Sequence, residues 1–132
     1  MFCDELEMAA DRIEAKSDSE FRMADWFTGI SPKRPCGTAC CIGGDVCLAH
    51  GWVPLGGGTV VVKDGVKVLA LRQAQKLLGL IDVEGEALFC AHFWPVDLQK
   101  LPERQAAVTL LRDIARGARK IVDGEWRKVT RG

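Results

Sequence analysis

The chain has 132 residues, 48% of them hydrophobic, which is enough for one real core without disulfides. Its 18 Lys and Arg balance 18 Asp and Glu, so bulk charge favours neither a nucleic-acid nor a membrane partner. No apolar run approaches the ~20 residues of a membrane span. Asp4, Glu5 and Glu7 stand where an export signal needs positive charge. These features point to one cytoplasmic domain over 1–132 with reduced thiols. The charge is unevenly placed, however. Residues 1–30 hold eight acids and three bases, and residues 100–132 hold nine bases and four acids.

In chain order, residues 3–16 read as an amphipathic helix, with Leu6, Ala9, Ala10 and Ile13 on one side. Ser17 or Ser19 then caps a second short helix through Phe21, Met23, Ala24, Trp26 and Phe27. The loop "TGISPKRPCG" leads into a helix over 38–50, with Thr38 as N-cap and Gly51 as its stop. "TVVVKDGVKVLA" places β-branched residues on both sides of Asp64-Gly65, the strongest short signal for a hairpin. One edge of that hairpin is open to a partner's strand, unless Lys63 and Lys67 guard it. A helix over 71–79 ends at Gly79, and Asp82 caps another running to about Cys90. Trp94 precedes Pro95 and is biased to extended backbone.

The longest predicted helix runs from Pro102 to Val122. Ala107, Leu110, Leu111, Ile114, Ala118 and Ile121 share its apolar side, and Arg112, Arg116, Arg119 and Lys120 the other. Trp126, in the tail, is placed to fold back on the core. The fold class is therefore α+β and mostly α-helical. It is a single domain with a central buried helix, an inserted two-stranded β-hairpin and a long amphipathic C-terminal helix.

Function turns on "CGTACCIGGDVCLAHGW", residues 36–52. A zinc-stabilised module would use Cys36, Cys40, Cys47 and His50. Cys40 and Cys47 are seven apart, ~10.5 Å along a helix, too far for one ion unless the chain breaks at Gly43-Gly44. A cysteine-dependent hydrolase or transferase would use Cys36 or Cys41 near the helix N-terminus, with His92 as base. The favoured reading is a buried scaffold helix, since Asp45 is the single charge among residues 39–50 and cysteine behaves there as a small hydrophobe. Asp45 then needs a partner, an arginine from the last helix or a cluster of backbone amides.

The pattern "FRMADWF…CGTACCIGGDVCLAHGW…KLLGL…ALF…FWP" resembles a set of small uncharacterised tailed-phage and bacterial proteins sharing C-G-T-x-x-C-I-x-G. The matching positions are Met23, Trp26, Cys36, Gly37, Thr38, Cys41, Ile42, Gly43, Leu78, Gly79, Leu80, Leu88, Phe89, Trp94 and Pro95. Cys40, Cys47 and His50 fall outside the pattern; Cys36 and Cys41 fall within it, as a local disulfide or paired thiols. The resemblance implies an origin rather than a mechanism.

These readings converge on a non-catalytic phage-type accessory protein that acts in the host cytoplasm. It would bind and inhibit a host macromolecule, with counter-defence as an analogy. A host protein is the expected partner, through Arg112, Arg116, Arg119 and Lys120. Nucleic acid is disfavoured by Asp113 on the rim of that face and the neutral total. No cofactor is expected.

Overall fold

A computed structural model describes residues 1–23, 27–28, 39–55 and 60–129 of the chain. It is a mostly helical α+β domain in which all the described strand pairs are antiparallel. The first helix, α1 (Cys3–Glu14), buries Leu6, Ala9, Ala10 and Ile13, whose spacing puts one side chain per turn on the same stripe. Asp4 and Glu5 in its first turn and Arg12 in its last complement the helix dipole.

The expected second helix is absent at the residues described: Phe21 makes an isolated bridge, Met23 lies in a turn, and Phe27–Thr28 form a strand, β1. β1 pairs with β2 (Ala39–Cys40), Phe27 opposite Cys40 and Thr28 opposite Ala39. Sheet pairing therefore claims two residues that the sequence assigned to the sulfur-bearing helix. That helix, α2, covers Ile42–Ala49 with Cys41 as its N-cap; the expected cap, Thr38, lies outside the described residues.

β3 (Val53–Leu55), β4 (Val60–Lys63) and β5 (Val66–Leu69) form a three-stranded sheet in that order. The β4–β5 turn is the expected one, with Asp64 and Gly65 both at positive φ, 50° and 78°. The sheet thus has a third strand, β3, beyond the expected two-stranded hairpin. The chain continues through α3 (Ala70–Leu78), α4 (Asp82–Phe89), a 3₁₀ turn (Ala91–Phe93), the short α5 (Val96–Gln99) and α6 (Glu103–Ala115). Asp82 is the first residue of α4 rather than its cap; the Glu84 carboxylate instead accepts the Ile81 N–H at 2.9 Å. Trp94 is extended before Pro95, as expected, with ψ 146°.

The last helix is shorter than the sequence suggests. It stops at Gly117, at φ +72°, where the Ala118 N–H returns to the Asp113 carbonyl at 2.8 Å and the Gly117 N–H to Ile114 at 3.1 Å. Residues 119–128 then form a second hairpin, β6 (Arg119–Val122) and β7 (Glu125–Lys128), turning at Asp123-Gly124. Trp126 does fold back, with 1% of its surface exposed.

α1 and α6 make the most extensive helix pairing, and both bury small residues, Ala9 and Ala10 on α1 and Ala106 and Ala107 on α6. α2 packs mainly on α3 and α1. The core includes Leu6, Ile13, Ile42, Val46, Leu78, Leu88, Leu110, Leu111 and Ile114, all within 1% of complete burial. Each such Leu or Ile contributes roughly 1.5–3 kcal/mol. Among the described residues no helix is long and apolar enough to cross a membrane.

Candidate interaction surface

The sulfur-bearing segment lies inside the protein. Ile42, Gly43, Gly44, Asp45, Val46 and Cys47 are buried, and the Cys41 sulfur accepts the Gly44 N–H at 3.4 Å to cap the helix. Cys47 points into the core, its sulfur 3.7 Å from the Ala70 carbonyl, and burial pushes its thiol up to about 12. A thiol held protonated in this way is the opposite of an activated nucleophile. His50 turns the other way, its Nε2 2.9 Å from a Glu5 carboxylate oxygen on α1. Cys47 and His50 are thus directed to different neighbours. Cys40 lies in β2, and Cys36 lies outside the described residues. Among the described residues no three His, Cys, Asp or Glu side chains are grouped as a metal set.

His92, the candidate base, is exposed on the 3₁₀ turn. It lines an open cavity of about 300 Å³ with Trp94, Leu98 and Glu103, and no described cysteine is among the lining residues. Cys41, by contrast, is fully buried at the start of α2.

Asp45 does find an arginine, but from the first helix rather than the last. Arg12 Nε donates to its carboxylate at 2.9 Å, and the Lys16 ammonium lies at 3.8 Å. Burial raises the Asp45 pKa, and Arg12 and Lys16 only partly oppose it. A second buried charge mirrors this arrangement. Arg119 is on β6, with 2% of its side chain exposed, and reaches Asp113 and Asp97, each at 2.9 Å. Burial works against its charge, but the two carboxylates outweigh that and hold the guanidinium above its ordinary value. A bond at 3.3 Å to the Trp126 carbonyl completes a tie between α5, α6 and β7.

The expected basic face is therefore not a face. Arg119 is internal, and Lys120, next to it on β6, is exposed with no ion pair among the described residues. Arg112 is bound to Glu14 at 2.8 Å and to Asp11 at 3.0 Å, and Arg116 to Glu7 at 2.9 Å. Arg104 adds a contact with Asp18 at 2.8 Å. The acidic first helix and the basic last helix meet within one molecule, so these arginines already hold carboxylates.

The apolar surface is elsewhere. In the sheet, Val61 lies opposite Val68 and Pro54, and Val61 and Pro54 are buried with Val68 packed against the core. Side chains alternate between faces along a strand. The other face therefore carries Val53, Leu55, Val60, Val62 and Leu69, with Lys67 as its single charge. Leu55 and Leu69 are 39% and 46% exposed. An alternating strand with one wet face is expected to be polar there, and this one is not. Only Lys67 and the β3 register separate it from an ordinary core sheet.

No protein-family model, curated protein or solved structure matches the chain.

Proposed function

We propose that the chain is a non-catalytic, phage-type accessory protein that binds a host protein in the host cytoplasm and inhibits it, and that it binds through the outer face of the β3–β4–β5 sheet. One observation carries the reading: five aliphatic side chains share that face around a single lysine. Exposed aliphatic surface gathered on one rigid element is characteristic of an interaction site. Several of the other candidate side chains support it by their engagement elsewhere. Cys41 and Cys47 serve the core, and Arg112, Arg116 and Arg119 serve internal ion pairs.

The test is affinity capture from bacterial extract with quantitative mass spectrometry, comparing the native chain with the double substitution Leu55→Glu and Leu69→Glu. The reading expects a stoichiometric host protein on the native chain and its loss on the variant, with far-ultraviolet circular dichroism unchanged. Equal recovery on both, or substrate turnover that disappears with Cys41→Ala, would refute it.

A further inference from the structure

The two edges of the three-stranded sheet differ chemically. In a two-residue hairpin the flanking residues exchange both backbone hydrogen bonds, and bonded and non-bonded pairs alternate outward. Lys63 with Val66 and Val61 with Val68 are therefore the bonded pairs, and the N–H and C=O of Lys67 and the N–H of Leu69 point away from β4, while the Leu69 carbonyl, at the N-cap of α3, belongs to that helix. The same alternation directs Val53 and Leu55 of β3 toward β4 and leaves Pro54 facing outward. Proline has no N–H, so the β3 edge is blocked as a template for another strand. The β5 edge carries no such block: Val66, Lys67 and Leu69 are exposed, and β5 has β4 alone as its strand neighbour among the described residues.

The charge around this edge is one-sided. Between residues 60 and 76 the bases are Lys63, Lys67, Arg72 and Lys76, and Asp64 is the single acid. Lys63 reaches back to the His50 carbonyl at the end of α2, 2.8 Å away. Lys67, Arg72 and Lys76 are exposed and take part in none of the ion pairs of the described residues. Arg72 and Lys76 are four apart on α3, which begins directly after β5, so they share one helix side.

We infer that β5 is the docking edge for an extended, acidic and β-branched segment of the partner protein, which adds as a fourth strand. Its backbone pairs with Lys67 and Leu69. A carboxylate stands beside Lys67, an apolar residue stands beside Leu69, and further acids meet Arg72 and Lys76. A second copy of this chain fits less well, because pairing β5 with itself brings two sets of unpaired bases together. The inference rests on the proposed binding function and specifies the chemistry of its partner.

The probe is a short, end-capped peptide in which a glutamate and a valine two residues apart share one face, with threonines between and beside them, set beside a counterpart with lysine in place of the glutamate and a single-stranded oligonucleotide. Binding is read by fluorescence anisotropy, and the amides by hydrogen exchange under nuclear magnetic resonance. In the chain alone, the Lys67 and Leu69 amides exchange fast while Val66 and Val68 are protected. The acidic peptide should protect Lys67 and Leu69 and bind at least tenfold tighter than the basic one, and Lys67→Glu should abolish that preference. Leu69→Pro keeps the native φ of −70° and removes an outward N–H together with the leucine side chain, so it should fold and bind the peptide at least tenfold more weakly than Leu69→Ala, which loses the same side chain and keeps the N–H. The inference is overturned by peptide binding that leaves both amides unprotected, by equal affinity for the basic peptide, or by no binding. It is also overturned by preference for the oligonucleotide, or by protection that rises with protein concentration alone, the sign of self-pairing. A captured host protein that protects residues outside β5 would end this inference and leave the binding function standing.

Discussion

The C-terminal arginines and the bases around β5 look alike in sequence and differ in what they hold. Arg112, Arg116 and Arg119 each meet carboxylates of the same chain within 3.0 Å, whereas Lys67, Arg72 and Lys76 meet none among the described residues. Basic density alone therefore does not mark a partner surface. A cation already bound to a carboxylate must give that contact up before it can bind another, and an unengaged one need not. Three of the four residues expected to bind a partner, Arg112, Arg116 and Arg119, hold carboxylates of their own chain, whereas Lys120 on β6 and the two lysines and one arginine near β5 hold none among the described residues.

The largest effects should come from stranding a buried charge. Asp97→Ala with Asp113→Ala leaves Arg119 in the interior without either carboxylate, at a cost of about 3–5 kcal/mol in urea unfolding. A guanidinium cannot escape by losing its proton, so that cost should persist across the accessible pH range. Arg12→Ala leaves Asp45 with only the Lys16 ammonium at 3.8 Å, and the penalty at neutral pH should be on the order of 3 kcal/mol. Here a proton can relieve it. The folded Asp45 pKa lies above the reference 3.8, so its charged form costs stability as pH rises above that value and the cost fades as pH falls. The Arg12→Ala deficit should therefore shrink in acid, and a deficit independent of pH would show that Asp45 is not buried and charged.

Asp97 should behave with the opposite sign. Its hydrogen bond to Arg119 lowers its pKa, so its contribution is present above 3.8 and is lost as pH falls through the lower folded value. Asp97→Asn should reduce stability at neutral pH and flatten the acid limb of the unfolding profile. Smallest of all is the exposed seam. Arg116→Ala removes the bond to Glu7 from a side chain that is 65% exposed, and should cost at most about 1 kcal/mol, less in high salt.

Much of this fold was legible because its signals are local. The stripe Leu6–Ala9–Ala10–Ile13, the Asp64-Gly65 turn, the stop at Gly79 and the Trp94-Pro95 break all lie within a few residues of what they determine. The end of α6 carried the same signals, Gly117 and Asp123-Gly124, but Ala118 and Ile121 happen to continue the apolar period of the helix and masked them. Other features depend on distant residues. Cys40 is a strand residue only because Phe27 pairs with it, and the partner of Asp45 lies 33 residues earlier. The apolar outer face was hidden for the same reason. An open hairpin edge can be read from residues 59–70, but the face appears only when β3 sets Val53 and Leu55 beside Val62 and Val60.

The contrast between engaged and unengaged cations is tested most directly by urea unfolding of two variants in the same buffer. One carries Lys67→Ala, Arg72→Ala and Lys76→Ala, and the other Arg112→Ala and Arg119→Ala. The first should unfold within about 1 kcal/mol of the native chain, as substitutions on open surface do, and the second should lose about 2–5 kcal/mol. A stable second variant beside a destabilised first would contradict the assignment of the C-terminal arginines to the scaffold and of the β5 bases to recognition.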